Sequence, residues 1–150
     1  MDSLSAYFKV GSGLRQGSSL SPALFNVYIN VVILRLRMLD LGCYINKAWA
    51  GCILYADDII LLSASAHELQ TMLTNCNDSI QDLNLCFNFN KSLCIVFGPR
   101  LPANLKSVEV HNNVIHWCQT CKYLGILFVS GKRMSCDVDY ITRKFYAAMQ

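Results

Sequence analysis

The stretch GCILYADDIILL, residues 51–62, contains two adjacent aspartates, Asp57 and Asp58, inside an otherwise apolar run. An ionised carboxylate that leaves water without a partner costs several kcal/mol or takes up a proton. Two unit charges about 4 Å apart repel by about 1 kcal/mol in water and by about 4 kcal/mol at an effective dielectric constant near 20. The two aspartates therefore either lie at a solvated turn or bind something positively charged.

The composition of the chain is that of a globular domain. Of its 150 residues, 53% are hydrophobic and 15% are charged, which suits one compact domain and excludes a long disordered tail. The net charge of +3 is too small to identify a nucleic-acid-binding protein by itself, and the whole excess lies in residues 101–150.

Cysteine usage and the N-terminal sequence indicate the compartment. The eight cysteines mostly have apolar neighbours, which is typical of small hydrophobic residues in a reducing environment rather than of a disulfide framework. MDSLSAYFKV lacks the apolar segment of a signal peptide, and no stretch reaches the roughly 18 uninterrupted apolar residues of a membrane span. We predict an intracellular protein of the cytoplasm or nucleus, not secreted and without a membrane partner.

Upstream of the aspartates, the sequence predicts a flexible loop followed by a long helix. The loop is GSGLRQGSSLS at 11–21, and the helix runs over 22–40 with Ser21 as its N-cap and Gly42 as its C-cap. Apolar residues recur at helical spacing at positions 24, 25, 28, 29, 32, 33 and 36.

The aspartate stretch itself predicts a β-hairpin. Residues 52–56 and 59–63 are apolar enough for two short buried strands, and the chain folds back at Asp57-Asp58. Such a hairpin tip keeps both carboxylates near solvent while the apolar arms are buried.

A second helix follows the hairpin. Ser65 and Glu68 match a capping box at its N terminus. Its predicted apolar stripe consists of Leu69, Met72, Leu73, Cys76, Ile80 and Leu83.

The remaining residues predict strands and a short C-terminal helix. Residues 93–98 and 121–129 each predict a strand, 108–117 predicts a hairpin that turns at Asn112-Asn113, and 138–149 predicts an amphipathic helix. The hairpin register predicts the pairs Val110–Ile115, Val108–Trp117 and Glu109–His116. Hairpins interleaved with helices predict an α+β fold, in which helices pack on one face of an antiparallel sheet.

Two-metal catalysis gives a chemical reason for paired aspartates at a hairpin tip. Two Mg²⁺ ions about 3.5–4 Å apart activate an attacking hydroxyl and stabilise a leaving oxygen, and they need fixed carboxylate oxygens as ligands. A tight hairpin tip is a rigid support for such ligands. By itself, however, an Asp-Asp pair is a weak signal, because aspartate is common in turns.

Four segments in this order resemble the reverse transcriptases of non-LTR (LINE-type) retrotransposons. GLRQGSSLSPALFNVYIN at 13–30 is similar to the family's Gln-Gly block, and YADD at 55–58 is similar to its aspartate hairpin. LNLCFNFNKSLCIVFG at 83–98 is similar to a block that carries a lysine, and KYLGILF at 122–128 is similar to the hairpin that grips the primer end. The resemblance implies an RNA-directed DNA polymerase.

The resemblance implies an incomplete palm-type domain over 1–150, without fingers or thumb. Its implied parts are the Gln-Gly loop and helix at 11–42, the YADD hairpin at 51–63, a helix at 65–86, strands and a primer-grip-like hairpin at 93–130, and the start of a thumb-like helix at 137–150.

The resemblance also implies roles for individual residues. Asp57 and Asp58 would be catalytic ligands of Mg²⁺, with Mn²⁺ as a substitute, and Lys91 would stabilise the departing pyrophosphate. The implied nucleotide- and template-binding residues are Arg15, Gln16, Gly17, Tyr55 and Ala56. The implied primer-grip residues are Tyr123, Leu124 and Gly125. The implied partners are an RNA template, a DNA primer and dNTPs.

One part of the family pattern has no match. The family carries a third catalytic aspartate on a strand before the Gln-Gly block, and Asp2 lies too close to the loop to leave room for that strand. Two hypotheses follow: a fragment of a polymerase that extends a primer 3′-hydroxyl, and a non-catalytic retrotransposon remnant that binds nucleic acid. The missing aspartate favours the second for this chain, which we expect to be inactive by itself. The missing strand also predicts self-association through an unpaired edge of the YADD hairpin.

A zinc module is a third hypothesis. His111, His116, Cys118 and Cys121 are four plausible zinc ligands close together in the sequence. The predicted hairpin register places both histidines on one polar face, so geometry permits the site. The strands implied by the polymerase resemblance account for the same segment without zinc.

Overall fold

The computed structural model describes residues 17, 19–99 and 105–149. Within these residues, helices α1, α2 and α3 span Ser21–Met38, Ala66–Asp82 and Val138–Ala148. The strands are β1 (Tyr44–Ile45), β2 (Ala48–Trp49), β3 (Cys52–Tyr55), β4 (Asp58–Leu61), β5 (Cys94–Ile95), β6 (Val108–Val110), β7 (Asn113–Ile115), β8 (Trp117–Cys118), β9 (Thr120–Tyr123), β10 (Ile126–Val129) and β11 (Ser135–Cys136). Helices combined with short, mostly antiparallel strands confirm the predicted α+β class.

The first helix matches the predicted 22–40 to within two residues, but both of its ends differ. Leu20 is the N-cap residue, and Ser21 already lies in the helix, so the prediction that Ser21 caps it is wrong. The helix ends before Asp40, which adopts the left-handed conformation with φ of 55°. Aspartate tolerates that conformation better than most residues, so the chain leaves the helix before it reaches Gly42.

The second helix begins as predicted and ends earlier. The Ser65 hydroxyl oxygen accepts a hydrogen bond from the backbone N–H of Glu68 at 3.2 Å, which confirms Ser65 as the N-cap. The Glu68 carboxylate accepts from the Ser63 hydroxyl at 3.1 Å, so Ser63 takes the place of the second capping-box donor. The helix ends at Asp82, short of the predicted residue 86.

The core that supports the aspartate hairpin lies between α1 and α2. Its buried side chains are Ile29, Val32 and Leu36 from α1 and Met72, Cys76 and Ile80 from α2. The hairpin packs against this core through the partly buried Cys52, Leu54, Ile59 and Leu61. Full burial of a large apolar side chain contributes about 1.5–3 kcal/mol, so this contact anchors the hairpin arms. The three buried apolar residues of α2 all belong to the predicted stripe, whereas the buried Asn77 and Ser79 do not.

The strands do not form the single antiparallel sheet that the sequence predicts. In the described part of the chain they form five small sheets, of which only β9–β10–β11 has three strands. Strands β5 and β8 pair in parallel, and β5 covers only Cys94–Ile95 instead of the predicted 93–98. Strands of two to four residues end before they can align into one long ladder.

The β6–β7 hairpin forms with a different register from the predicted one. Its pairs are Val108–Ile115, Glu109–Val114 and Val110–Asn113. The turn residues are His111 and Asn112, with φ of 45° and 69°, so the predicted turn lies one residue too late. Trp117 is unavailable for the predicted pair because it belongs to β8 and pairs with Cys94 of β5.

Gln70 joins α2 to the backbone of β6. Its side-chain amide donates to the carbonyl oxygen of Glu109 at 2.5 Å and accepts from the N–H of Glu109 at 2.8 Å. These are the two bonds that a neighbouring strand would form. We expect Gln70→Ala to lower the free energy of unfolding by about 1–3 kcal/mol, at about 0.5–1.5 kcal/mol for each lost hydrogen bond. Urea denaturation followed by circular dichroism measures this change.

Gln81→Ala is the matched control for this prediction. Gln81 lies on the same helix with an exposed side chain, and none of the hydrogen bonds among the described residues involves its side-chain amide. We expect Gln81→Ala to change the free energy of unfolding of the chain by less than about 0.5 kcal/mol. Equal destabilisation by the two substitutions would contradict the role assigned to Gln70.

Candidate active site

The two aspartates lie at the tip of the β3–β4 hairpin. Tyr55 pairs with Asp58, so the turn consists of Ala56 and Asp57, and Ala56 has φ of 52°. The predicted strands are therefore confirmed, but the predicted fold-back at Asp57-Asp58 is one residue too late, since Asp58 is the first residue of β4. One carboxylate projects from the turn and the other from the end of a strand.

Both carboxylates are exposed to solvent and lack a cationic partner in the described part of the chain. Asp57 and Asp58 are both exposed. The ion pairs among the described residues are Arg35–Asp82, His111–Asp78 and Arg143–Asp137. Water therefore stabilises the two adjacent negative charges. Both carboxylates remain accessible to a cation from solution.

A second hairpin places a tyrosine within electrostatic range of Asp58. Residues 121–129, predicted as one strand, form the β9–β10 hairpin, whose turn residues Leu124 and Gly125 have φ of 47° and 84°. Such a turn needs positive φ at both central positions, which makes Gly125 favourable and Leu124 costly. The preceding Tyr123 pairs with Ile126 across the turn.

Tyr123 connects the two hairpins electrostatically. Its hydroxyl group is buried and has no hydrogen-bond partner among the described residues. Burial raises the pKa of Tyr123, and the charges of Asp58 and Tyr55 raise this pKa further. Tyr123 therefore lies within electrostatic range of Tyr55 and Asp58 at the tip of the other hairpin. The YADD and Tyr-Leu-Gly motifs identify these residues, but no sequence pattern predicts their proximity.

The structure gives no contact between the remaining predicted site residues and the two aspartates among the residues that it describes. Lys91 is exposed in a turn after α2, and its backbone N–H donates to the carbonyl oxygen of Asn88 at 3.0 Å. Among the described residues, no hydrogen bond or ion pair links Lys91 to either aspartate. Arg15 and Gln16 lie outside the described residues.

Gly17 is exposed in a turn with φ of 81°, and a Cβ atom added there would meet no other described residue within 4 Å. The backbone conformation therefore favours glycine at this position, whereas close packing does not require it.

The zinc hypothesis is wrong. No group of three or more His, Cys, Asp or Glu side chains in the described parts of the chain is placed to hold a metal ion. His111 lies in the β6–β7 turn and its Nε2 contacts Asp78 Oδ1 at 3.5 Å. Burial raises the pKa of Cys118 and of Cys121, which disfavours the thiolate form that zinc requires.

The chemistry of the hairpin tip fits Mg²⁺ or Mn²⁺. Both ions prefer oxygen ligands, and carboxylate oxygens are the ligands that Asp57 and Asp58 present to solvent. Two carboxylates satisfy only part of an octahedral shell, so water or a substrate phosphate must complete it. Asp57 and Asp58 are the residues of the tip that could hold such an ion.

No helix in the described residues is long and apolar enough to cross a membrane. This agrees with the sequence, in which polar residues interrupt every apolar stretch.

Comparisons with known proteins identify relatives over most of the chain. The family model described as "Reverse transcriptase (RNA-dependent DNA polymerase)" matches residues 2–128. The Retrovirus-related Pol polyprotein from type-1 retrotransposable element R2 of Nasonia vitripennis is 26% identical over 133 residues, which are 83% of this chain and 13% of that protein. The corresponding polyprotein from type-2 retrotransposable element R2DM of Drosophila melanogaster is 28% identical over 140 residues, covering 87% of this chain and 13% of its own length.

A third relative, the type-1 R2 polyprotein of Popillia japonica, is 26% identical over 142 residues. That match covers 89% of this chain and 23% of the relative. The chain thus spans less than a quarter of each of these polyproteins. No solved structure matches the chain.

Proposed function

Because the chain belongs to the reverse transcriptase family, we propose that it is a palm segment of an RNA-directed DNA polymerase in which Asp57 and Asp58 bind the catalytic divalent metal ions. The observation that carries this proposal is the hairpin tip, where two adjacent residues have exposed carboxylates that form no ion pair with any other described residue. The family match spans this hairpin, and the R2 relatives carry the word Pol in their names.

The proposed reaction is extension of a primer 3′-hydroxyl with dNTPs. Bound divalent metal ions would activate that hydroxyl and stabilise the leaving pyrophosphate oxygen. The role of the chain is to position these groups. The rigid hairpin holds the two carboxylates, and its apolar arms rest on the α1–α2 core, so the ligands move little when substrate binds.

The neighbouring hairpin is proposed to position the primer. Tyr123, Leu124 and Gly125 form its tip, and the strained positive φ of Leu124 is typical of functional sites. The proximity of Tyr123 to Asp58 supports a primer terminus held between the two hairpin tips. Tyr55 would contact the same terminus.

The remaining roles stay proposals drawn from the family. Lys91 would stabilise the departing pyrophosphate, since an exposed ammonium group can reach a phosphate from a turn. The proposed nucleotide- and template-binding residues are Arg15, Gln16, Gly17, Tyr55 and Ala56. The proposed partners are an RNA template and a DNA primer, and the proposed location is intracellular.

Self-association through the edge of the β3–β4 hairpin also stays a prediction. Within the described residues these two strands form a sheet of their own, so each has an outer edge without a further strand. Unpaired strand edges with apolar side chains are templates for pairing with a second chain.

A Mn²⁺ titration tests the metal site. We expect the chain to bind Mn²⁺ weakly, with water completing the shell. Asp57→Asn combined with Asp58→Asn should weaken binding by at least about tenfold, since even groups that only support metal ligands cost about 10- to 100-fold when lost. Electron paramagnetic resonance of free Mn²⁺ measures both affinities.

Asp78→Asn combined with Asp139→Asn is the matched control, because it removes two exposed carboxylates elsewhere and changes the net charge equally. Equal affinities for the unmodified chain and for the Asp57 and Asp58 variant would refute the metal site.

Primer extension on an RNA template separates the hypothesis of a catalytic polymerase fragment from that of a non-catalytic remnant. Mg²⁺-dependent incorporation that disappears with Asp57→Asn supports catalysis, whereas metal binding without incorporation favours a non-catalytic, nucleic-acid-binding remnant.

A further inference from the structure

A basic cavity of about 600 Å³ lies at the base of the aspartate hairpin. The end of α1, the β1–β2 hairpin and the start of β3 form its walls. The residues that matter here are Arg37, Asp40, Tyr44, Lys47, Trp49 and Cys52. Cys52 and Tyr55 are the two ends of β3, which spans roughly 10 Å at about 3.3 Å per residue. The cavity is therefore separate from the tip that carries the aspartates.

The charge of the cavity favours an anion. Arg37 and Lys47 both line it, and neither forms an ion pair with a carboxylate among the described residues. The lining holds a single acidic residue, Asp40, which accepts a hydrogen bond from the Tyr44 hydroxyl, so two basic side chains face one acidic one. A concave surface lined by two unpaired cations concentrates negative charge from solution.

Lys47 occupies a position that the local backbone does not favour for lysine. The β1–β2 turn consists of Asn46 and Lys47, with φ of 48° and 66°. Turns with positive φ at both central positions prefer Asn or Gly, so a lysine there carries a conformational cost. A strained residue whose side chain lines a cavity is typical of a binding site.

Two aromatic side chains supply flat surfaces in the same cavity. The Tyr44 side chain is half exposed, and its hydrogen bond to Asp40 raises its pKa, so the ring stays neutral at physiological pH. The Trp49 indole N–H donates to the carbonyl oxygen of Leu41 at 2.7 Å. Its ring also lies directly against Gly51, where an added Cβ would come within 2.7 Å. Trp49 is therefore held in place before any ligand binds.

We infer that this cavity binds one nucleotide unit of a single-stranded nucleic acid. Arg37 and Lys47 contact the phosphate, and Tyr44 or the exposed face of Trp49 stacks on the base. Cations that follow a backbone and aromatic rings that stack on bases are the two features that bind single strands without base-specific hydrogen bonds. The cavity volume lies within the roughly 300–1,000 Å³ of small-ligand sites. The site requires neither metal nor catalysis.

The two tryptophans of the chain provide a site-specific measurement. In an amide correlation spectrum of ¹⁵N-labelled protein, each indole N–H gives one signal, and Trp117→Phe assigns them. We expect the hexanucleotide rU₆ to shift the Trp49 signal and to leave the Trp117 signal in place, since Trp117 donates instead to the carbonyl oxygen of Lys106. UMP should shift the Trp49 signal at higher concentration, and inorganic phosphate should not.

Arg37→Gln combined with Lys47→Asn tests the phosphate contact, and Asn suits the positive φ at position 47. By fluorescence anisotropy we expect labelled rU₆ to bind at least about tenfold more weakly, and the slope of log affinity against log salt concentration to fall by about 0.7, the value for one neutralised phosphate of a single strand. Lys132→Gln combined with Arg133→Gln changes the charge equally at exposed positions outside the cavity and should change affinity less than about twofold.

Tyr44→Leu tests the stacking contact independently and should weaken rU₆ binding by about fivefold or more. A Trp49 signal that rU₆ does not move would overturn the inference, as would equal losses in the cavity variant and its charge-matched control. If phosphate alone reproduces the rU₆ shift, the cavity is a simple anion site. If UMP binds as tightly as rU₆, a free nucleotide rather than a strand is the ligand. None of these results bears on Mn²⁺ binding at Asp57 and Asp58.

Discussion

Leu36→Ala is expected to lower the free energy of unfolding by about 2–5 kcal/mol, the range for removing a buried leucine side chain from a packed core. Leu36 has an exposed fraction of 0% and packs between α1 and α2 with Val32 and Met72. Its loss leaves a cavity under the arms of the aspartate hairpin, and neighbouring side chains can collapse into it only in part. Urea denaturation measures the free energy.

Leu34→Ala gives the matched control on the same helix. The Leu34 side chain is 51% exposed, so the substitution removes equal volume without creating an internal cavity. Alanine is at least as good a helix former as leucine, and we expect a change within about 0.5 kcal/mol. If the two substitutions destabilise the chain equally, the α1–α2 core described above is wrong.

Gly42→Ala is the second large expected effect, with a loss of about 2–4 kcal/mol in the free energy of unfolding. About 1 kcal/mol of this comes from placing alanine at positive φ, and about 1–3 kcal/mol comes from overpacking. Gly42 has φ of 101°, and an added Cβ would lie 2.8 Å from the Gly51 Cα and 2.9 Å from the Leu62 carbonyl oxygen. Both contacts are to backbone, which cannot rotate away.

The same substitution reaches the base of the aspartate hairpin. Leu62 follows β4, its N–H donates to the Gly51 carbonyl oxygen at 2.8 Å, and its own carbonyl oxygen accepts from the Cys43 N–H at 3.0 Å. Separating these backbones should loosen both the hairpin and the basic cavity beside it. Weaker Mn²⁺ binding by the Gly42→Ala variant would show that the aspartate hairpin has loosened.

Gly125→Ala separates the two contributions to the Gly42 prediction. Gly125 has φ of 84°, and an added Cβ there would meet no atom within 4 Å in the part of the chain that the structure describes. We expect it to cost only about 1 kcal/mol, the part due to backbone conformation. Unfolding free energies that match for Gly42→Ala and Gly125→Ala would show that the close approach of Gly42 to Gly51 and Leu62 is absent in solution.

Features that depend on a few neighbouring residues were predictable. The Ser65 cap uses an N–H three residues away, and the aspartate turn closes between Tyr55 and Asp58. These interactions form wherever the local sequence allows them, because their partners are already adjacent along the chain. Most errors at this level, such as the turn at His111-Asn112, are shifts of one or two residues, and the end of α2 lies four residues before the predicted one.

Hydrophobic periodicity alone does not predict which face of α1 is buried. The predicted apolar positions included Leu24 and Tyr28, which are both 47% exposed, while Ile29, Val32 and Leu36 are buried. Apolar residues lie on more than one side of this helix, so several faces satisfy the pattern equally. Only the placement of α2 against one of them determines which side chains lose contact with water.

The sequence by itself determined the helices, the aspartate hairpin with its exposed tip, and membership of the reverse transcriptase family, whose motifs are short and contiguous. The tertiary structure alone decided that Tyr123 lies near Asp58, and that Arg37 and Lys47 share a cavity with Tyr44. The reason is physical. Turns and caps are satisfied by neighbours in sequence, whereas proximity between separate elements depends on how their apolar faces pack.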